Sequence, residues 1–170
     1  MASESARMSS AAEARFRIDA PNSKGRAIKI IALDAPAERV VRRLAQASWN
    51  RASFFTASAF AGPPASGESF SMTGWLSDVA GRTKNLIDEV ACADLIVMVA
   101  TAGENAHAAT IIGEAASAKR VNTTGLIIGG AGKSDEALAK TLAQLRPWSL
   151  MLVIAGADDY VEDMLVALRA

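Results

Sequence analysis

From residue 27 onward, short apolar runs alternate with longer stretches in which apolar residues recur every three or four positions. IKIIAL (Ile28 to Leu33) is a β-branched apolar run of the kind found in strands buried on both faces. Asp34 follows as a helix cap and Pro36 suits a first helical turn, where its missing N–H costs nothing. ERVVRRLAQAS then predicts a helix, with Val40, Val41, Leu44 and Ala47 on one face and Arg39, Arg42, Arg43 and Gln46 on the other. ASFFTASAF (Ala52 to Phe60) reads as a second strand. AGPPASGESFSMTGW (Ala61 to Trp75) breaks the alternation with Pro63, Pro64 and three glycines, and reads as a disordered loop or one holding a short edge strand at ESFSM.

The alternation resumes at LSDVAGRTKNLIDEVAC, where Leu76, Val79, Thr83, Leu86, Ile87 and Val90 follow helical spacing and predict one helix over 76–92. DLIVMVAT (Asp94 to Thr101) predicts a strand, NAHAATIIGEAASAKR a small-residue helix, TGLIIGG (Thr124 to Gly130) a strand and DEALAKTLAQLR a helix. SLMLVIAG (Ser149 to Gly156) predicts a strand and DDYVEDMLVALR a last helix, capped by Asp158 or Asp159. Strands alternating with helices imply right-handed βαβ crossovers. The expected fold is a three-layer, Rossmann-like, doubly wound α/β domain with a mostly parallel sheet of five or six strands. It spans residues 27–170, and residues 1–26, small, polar and charged, are expected to form a mobile tail.

Composition narrows the function. The chain has 170 residues, with 18 basic and 18 acidic side chains in balance. Such a chain has no long-range field to draw in nucleic acid or an anionic membrane, so neither is an expected partner. One cysteine, Cys92, and one histidine, His107, allow neither a disulfide nor the usual zinc sites, so no metal site is assigned. No run is long enough to span a bilayer and the N-terminus has no signal-type stretch, which points to the cytoplasm. Cys92 reads as inert core, and Trp49, Trp75 and Trp148 as rim packing or part of a subunit interface.

Ligands of open α/β sheets bind beyond the carboxyl ends of the strands, where strand order reverses. That rule places the first strand beside Asp94 to Thr101 and selects the segments starting at Asp34, Thr101, Gly129 and Gly156. Asp34 has two readings there, a helix cap or a general base, metal ligand or ribose contact. TAGENAH (Thr101 to His107) is the foremost candidate site: Gly103 lets a ligand approach the backbone, Thr101 and Asn105 offer hydrogen bonds, and a helix begins there. Glu104 is a candidate ligand contact in the same loop, although its charge opposes an anion at that position. His107 is a candidate acid or base, with Asp34 the other catalytic candidate, and its bland reading is a surface residue of a first helical turn. Gly130 and Gly132 are candidate ligand contacts in GGAGKS (Gly129 to Ser134). That segment is no P-loop, because the first required glycine falls on Ile127, and it reads equally as a turn capped by Ser134. The first strand lacks G-x-G-x-x-G, so no cofactor is assigned.

Two resemblances follow from these segments. KNLIDEVACADLIVMVATAGENAHAATIIGEAASAKRVNTTGLIIGG, LAQLRPWSLMLVIAGADD and AIKIIALDAPAERVVRRLAQASWNRASFFTAS resemble the GTPase half of the tubulin family, especially its bacterial cell-division member. The resemblance covers roughly residues 27–160 and implies a nucleotide-binding fold that assembles. The family's GGGTGTG-type phosphate loop would fall on Gly103 to Ala109, which reads GENAHAA, so the resemblance carries over no catalytic residue and implies a degenerate phosphate site. DLIVMVATAGENAHAATIIGEAASAKR also resembles the sugar-phosphate isomerase domain, whose S-x-SGET pattern is matched by Gly103 and Glu104 but not by Ala102 and Asn105. The resulting expectation is a non-catalytic ligand-binding or assembly module. Its expected ligand is a nucleotide or other phosphorylated small molecule, and its expected partner a second copy or another protein. The alternative is a small enzyme acting on such a metabolite.

Overall fold

A computed structural model describes residues 25–57, 75–130, 132–156, 159–168 and 170. The elements run β1 (Ile28–Ala32), α1 (Ala35–Leu44), β2 (Ala52–Thr56), β3 (Trp75–Asp78), β4 (Thr83–Asn85) and α2 (Leu86–Ala91). They continue as β5 (Leu95–Thr101), α3 (Ala108–Lys119), β6 (Asn122–Ile128), α4 (Asp135–Leu145), a 3-10 turn (Arg146–Trp148), β7 (Met151–Ile154) and α5 (Asp159–Ala167). The sheet has seven strands in the order β4-β3-β2-β1-β5-β6-β7. From β2 to β7 all neighbours are parallel, and β3 and β4 add an antiparallel hairpin beyond β2. The fold is the expected three-layer α/β architecture, with one or two more strands than the pattern indicated.

The central strands form because both of their faces are covered. In β5 every residue from Leu95 to Ala100 is buried, which selects an unbroken apolar run over an alternating one. Ile28, Ile30, Val97, Val99 and Leu126 meet Val40, Val41 and Leu44 of α1 and Val161 and Leu165 of α5 on one face. Ile31, Ile96, Met98 and Ile127 meet Val90 of α2, Ala109 and Ile112 of α3 and Leu145 of α4 on the other. β1 lies between β2 and β5, with Ile28 beside both Ala52 and Leu95. Because α1 and α3 leave these adjacent strands for opposite faces, strand order reverses between β1 and β5, where the sequence placed it.

The single helix expected over 76–92 is corrected: its first half is the β3–β4 hairpin and only Leu86–Ala91 is helical. Leu76, Leu86 and Val90 do reach the core, so the apolar spacing was real, but Val79 is exposed at a turn. Gly81 stands at φ +79 in that turn. The Asp78 carboxylate accepts from the backbone N–H groups of Ala80 (3.0 Å) and Arg82 (2.9 Å) and from Arg82 Nε (2.7 Å). Asn85 then caps the short helix by accepting from the N–H of Ile87 and Asp88. Local side-chain bonds of this kind compete with helix formation and here prevail over apolar spacing.

The same bonds give the hairpin a pH signature. The Arg82 N–H foremost, then its guanidinium and the Ala80 N–H, hold the Asp78 carboxyl below the usual carboxylate range, against an opposing contribution from burial. A pKa lower in the folded than in the unfolded state stabilises above the unfolded value, and that stability is lost as pH falls through the folded one. Asp78→Asn is therefore expected to flatten the acid-side loss of stability below about pH 4, followed by urea unfolding at stepped pH. An unchanged acid profile would show that the carboxylate contributes nothing.

Other expectations fall unevenly. Cys92, expected in the core, is exposed at the C-cap of α2, past the last helical residue Ala91. Trp49 and Trp148 are half-buried at element ends as expected. Most of the 1–26 tail, most of the 61–75 loop with its ESFSM strand, residues 58–60 of the second strand and Asp158 lie outside the described residues. No helix among the described residues is long and apolar enough to cross a membrane.

Candidate functional site

At the point of strand reversal the chain leaves β1 through Leu33 and turns at Asp34. Its carboxylate accepts from the N–H of Ala37 (2.8 Å), capping α1, from the N–H of Thr101 (2.7 Å) and from the Thr101 hydroxyl (2.8 Å). Asp34 is buried, and its carboxylate is occupied in joining the carboxyl ends of β1 and β5. It is the cap that the sequence predicted, with a second role in the same atoms.

The segment from Thr101 to His107 is braced from beneath by α4. Gly103, at φ +88, donates its N–H to the hydroxyl of Thr141 (3.0 Å), a fully buried residue. That hydroxyl also lies 3.3 Å from the carbonyl of Glu104 and 3.4 Å from that of Thr101. The Ala106 N–H goes to Gln144 Oε1, and the His107 N–H to Asn105 Oδ1 (3.0 Å). Ala102 N–H bonds the Ile128 carbonyl and Glu104 N–H the Thr101 carbonyl. A phosphate cradle needs backbone N–H groups directed at the ligand. Here the N–H groups of Thr101, Ala102, Gly103, Glu104, Ala106 and His107 are held by acceptors within the protein, and the Glu104 side chain is exposed above them.

His107 stands at the N-cap position of α3 with an exposed ring, makes no side-chain cap, and no hydrogen bond joins it to Asp34. The structure thus brings Asp34 and Thr101 together, sets Gly103, Glu104 and Asn105 in the braced loop, and leaves His107 apart. Among the described residues no group of His, Cys, Asp and Glu is arranged to hold a metal ion.

The glycine turn before α4 has conformational reasons of its own. Gly132 takes φ +81, and a Cβ at Gly130 would lie 3.1 Å from Ile154 Cγ2 of β7. Ser134 caps α4 by accepting from the N–H of Ala137 (3.2 Å), as the sequence indicated.

Thr141 and Gln144 escaped the sequence reading although a signal was present. Thr141 is a polar residue in line with Leu138 and Leu145 on the core side of an amphipathic helix, where an apolar residue is the norm. Thr141→Val keeps the shape and removes the acceptor, leaving the Gly103 N–H without a partner. A loss of about 1–3 kcal/mol is expected in urea unfolding, with Thr141→Ser largely preserving stability. Equal stability of the valine variant would mean that the loop is not braced through this hydroxyl.

The described residues line more than one cleft. One of about 350 Å³ opens between α1 and the carboxyl ends of β5 and β6, against Arg39, Arg43, Thr101 and Gly129. Another of about 460 Å³ lies over β1–β4 against Lys29, Phe55, Asp78 and Glu89. Four of its charges form two pairs, Lys29 Nζ 2.7 Å from Glu89 and Arg82 Nε 2.7 Å from Asp78, and Lys84 lines it as well. No protein-family model matches the chain, and no curated protein is significantly similar to it.

Proposed function

We propose that this chain is a non-catalytic assembly module on a Rossmann-like fold, acting in the cytoplasm and pairing with a second copy of itself through the outer edge of β7. One observation carries the reading. β7 closes the sheet on one side, is hydrogen-bonded only to β6 among the described residues, and is apolar throughout. Leu150 is 79% exposed, Met151 44% and Ile154 47%. Sheet edges in monomers are usually guarded by charge, proline or a bulge, and an open apolar edge is a template for another strand. From Ser149 to Gly156 there is no charged residue, so an antiparallel, twofold pairing of two such edges sets no like charges against each other.

The braced Thr101 to His107 loop supports the non-catalytic half of the reading, because its donors already serve the protein itself. His107, which has no hydrogen bond to the Asp34 carboxylate, supports it as well. Cys92, an exposed single thiol, suits a reducing compartment. Sedimentation equilibrium tests the assembly: wild type is expected to dimerise with rising concentration, and Ile154→Lys or Met151→Glu to remain monomeric with an unchanged fold. A monomeric wild type at high micromolar concentration, or a dimer indifferent to both substitutions, would overturn the pairing.

A further inference from the structure

We propose that the cleft between α1 and the carboxyl ends of β5 and β6 binds a compact anionic metabolite, such as a phosphate ester or a dicarboxylate, through the guanidinium groups of Arg39 and Arg43. The inference is independent of the pairing at β7. Three observations converge on it. The cleft lies at the strand-order reversal, the place where open α/β sheets take ligands, and is bounded by Pro36 at the start of α1, Thr101 at the end of β5 and Gly129 after β6. Its volume of about 350 Å³ suits a small molecule and not a dinucleotide. Two cationic side chains one helical turn apart line it, and no acidic side chain is among its described lining residues.

The arginines of α1 divide by task. Arg42 is committed toward the β3–β4 hairpin, to Glu38 at 2.6 Å and to the Val79 carbonyl at 2.8 Å. Arg39 and Arg43 instead border the cleft, both exposed. Arg43 keeps an interaction of its own, and a guanidinium has donors beyond one partner. The nearest buried acid, Asp34, has both carboxylate oxygens engaged by Ala37 and Thr101. Planar guanidinium forks match the paired oxygens of a carboxylate or phosphate. Recognition would therefore come from side chains on α1, and the braced loop would serve as a wall.

Isothermal titration at fixed ionic strength, with inorganic phosphate and with malonate as probes, tests the site. Saturable binding of at least one probe is expected, weakened tenfold or more in Arg39→Gln/Arg43→Gln and unchanged in Lys133→Ala. Saturation by phosphate alone points to a phosphate ester, by malonate alone to a dicarboxylate. Amide shift mapping is expected to centre on Thr101 and Gly129. The arginines are exposed, so the double variant is expected to keep the wild-type thermal midpoint; should it not, the single variants and the shift map decide. The proposal fails if neither probe saturates, or if binding survives loss of both arginines and is abolished by Lys133→Ala, which would place the anion at the glycine turn.

Discussion

Asp34→Ala is expected to lower stability by about 3 kcal/mol, a large part of the roughly 5–15 kcal/mol that holds a domain folded. The lost cap of α1 costs about 1 kcal/mol by itself. The remainder comes from Thr101, whose N–H and hydroxyl both lose their acceptor in a half-buried position, at about 1 kcal/mol or more each. Asp34→Asn keeps a capping oxygen but turns an amide toward a donor, so an intermediate loss is expected. Urea unfolding of Asp34→Ala, Thr101→Val and the double variant measures the shared part. If the single losses simply add, the two residues do not act together and the knot between β1 and β5 is not a unit. The same variants bear on the enzymatic alternative: a general base would lose turnover in Asp34→Asn far out of proportion to stability, whereas a tie between strands loses stability first.

Gly113→Leu is expected to cost about 3 kcal/mol or more, and even Gly113→Ala to destabilise. Helix propensity alone predicts the opposite for alanine, by about 1 kcal/mol, since Gly113 lies inside α3. The decisive fact is space. A Cβ at Gly113 would fall 2.6 Å from both Cβ and Cε3 of Trp148, so the indole or the helix has to move, and overpacking of this kind costs about 1–3 kcal/mol. Trp148 is also anchored, its carbonyl accepting from the Thr123 hydroxyl. A double-mutant cycle with Trp148→Ala reads the clash directly: Gly113→Ala is expected to turn neutral or stabilising once the indole is gone. Persistence of the full penalty would locate the strain elsewhere.

These two sites mark what local sequence conveys. IKIIAL announced a strand covered on both faces because burial on both sides leaves a near-continuous apolar run. Asp34 and Ser134 announced helix starts because a cap acts on residues only three positions away. The partner that gives Asp34 its second role is 67 residues distant, and no local pattern points to it. Gly113 read as one more small residue in a helix until Trp148 was seen against it. The β3–β4 hairpin was hidden for a different reason: Leu76, Leu86 and Val90 satisfy a helical period as well as they fill the core from a hairpin and a short helix. Asp78, Gly81 and Asn85 carried the contrary signal, which a count of apolar positions ignores. At the candidate site, sequence located the loop from Thr101 to His107, but its state depended on Thr141 and Gln144 reaching it from a helix that begins only at Asp135.

The strand order also bears on biosynthesis. β1 sits between β2 and β5, so the sheet is not laid down in the order in which the chain emerges. When β1 leaves the ribosome its first neighbour, β2, follows closely, but β5 pairs with it at a separation of 67 residues. At roughly 5–20 residues per second that is a wait of about 3–13 s with one flank of an apolar strand bare. A nascent chain arrested before Leu95 holds β1 and α1 without β5 to cover them, and exposed apolar surface of that kind is what chaperones shield. Release of the strand from that guard falls in the interval when Thr101 emerges and closes on Asp34.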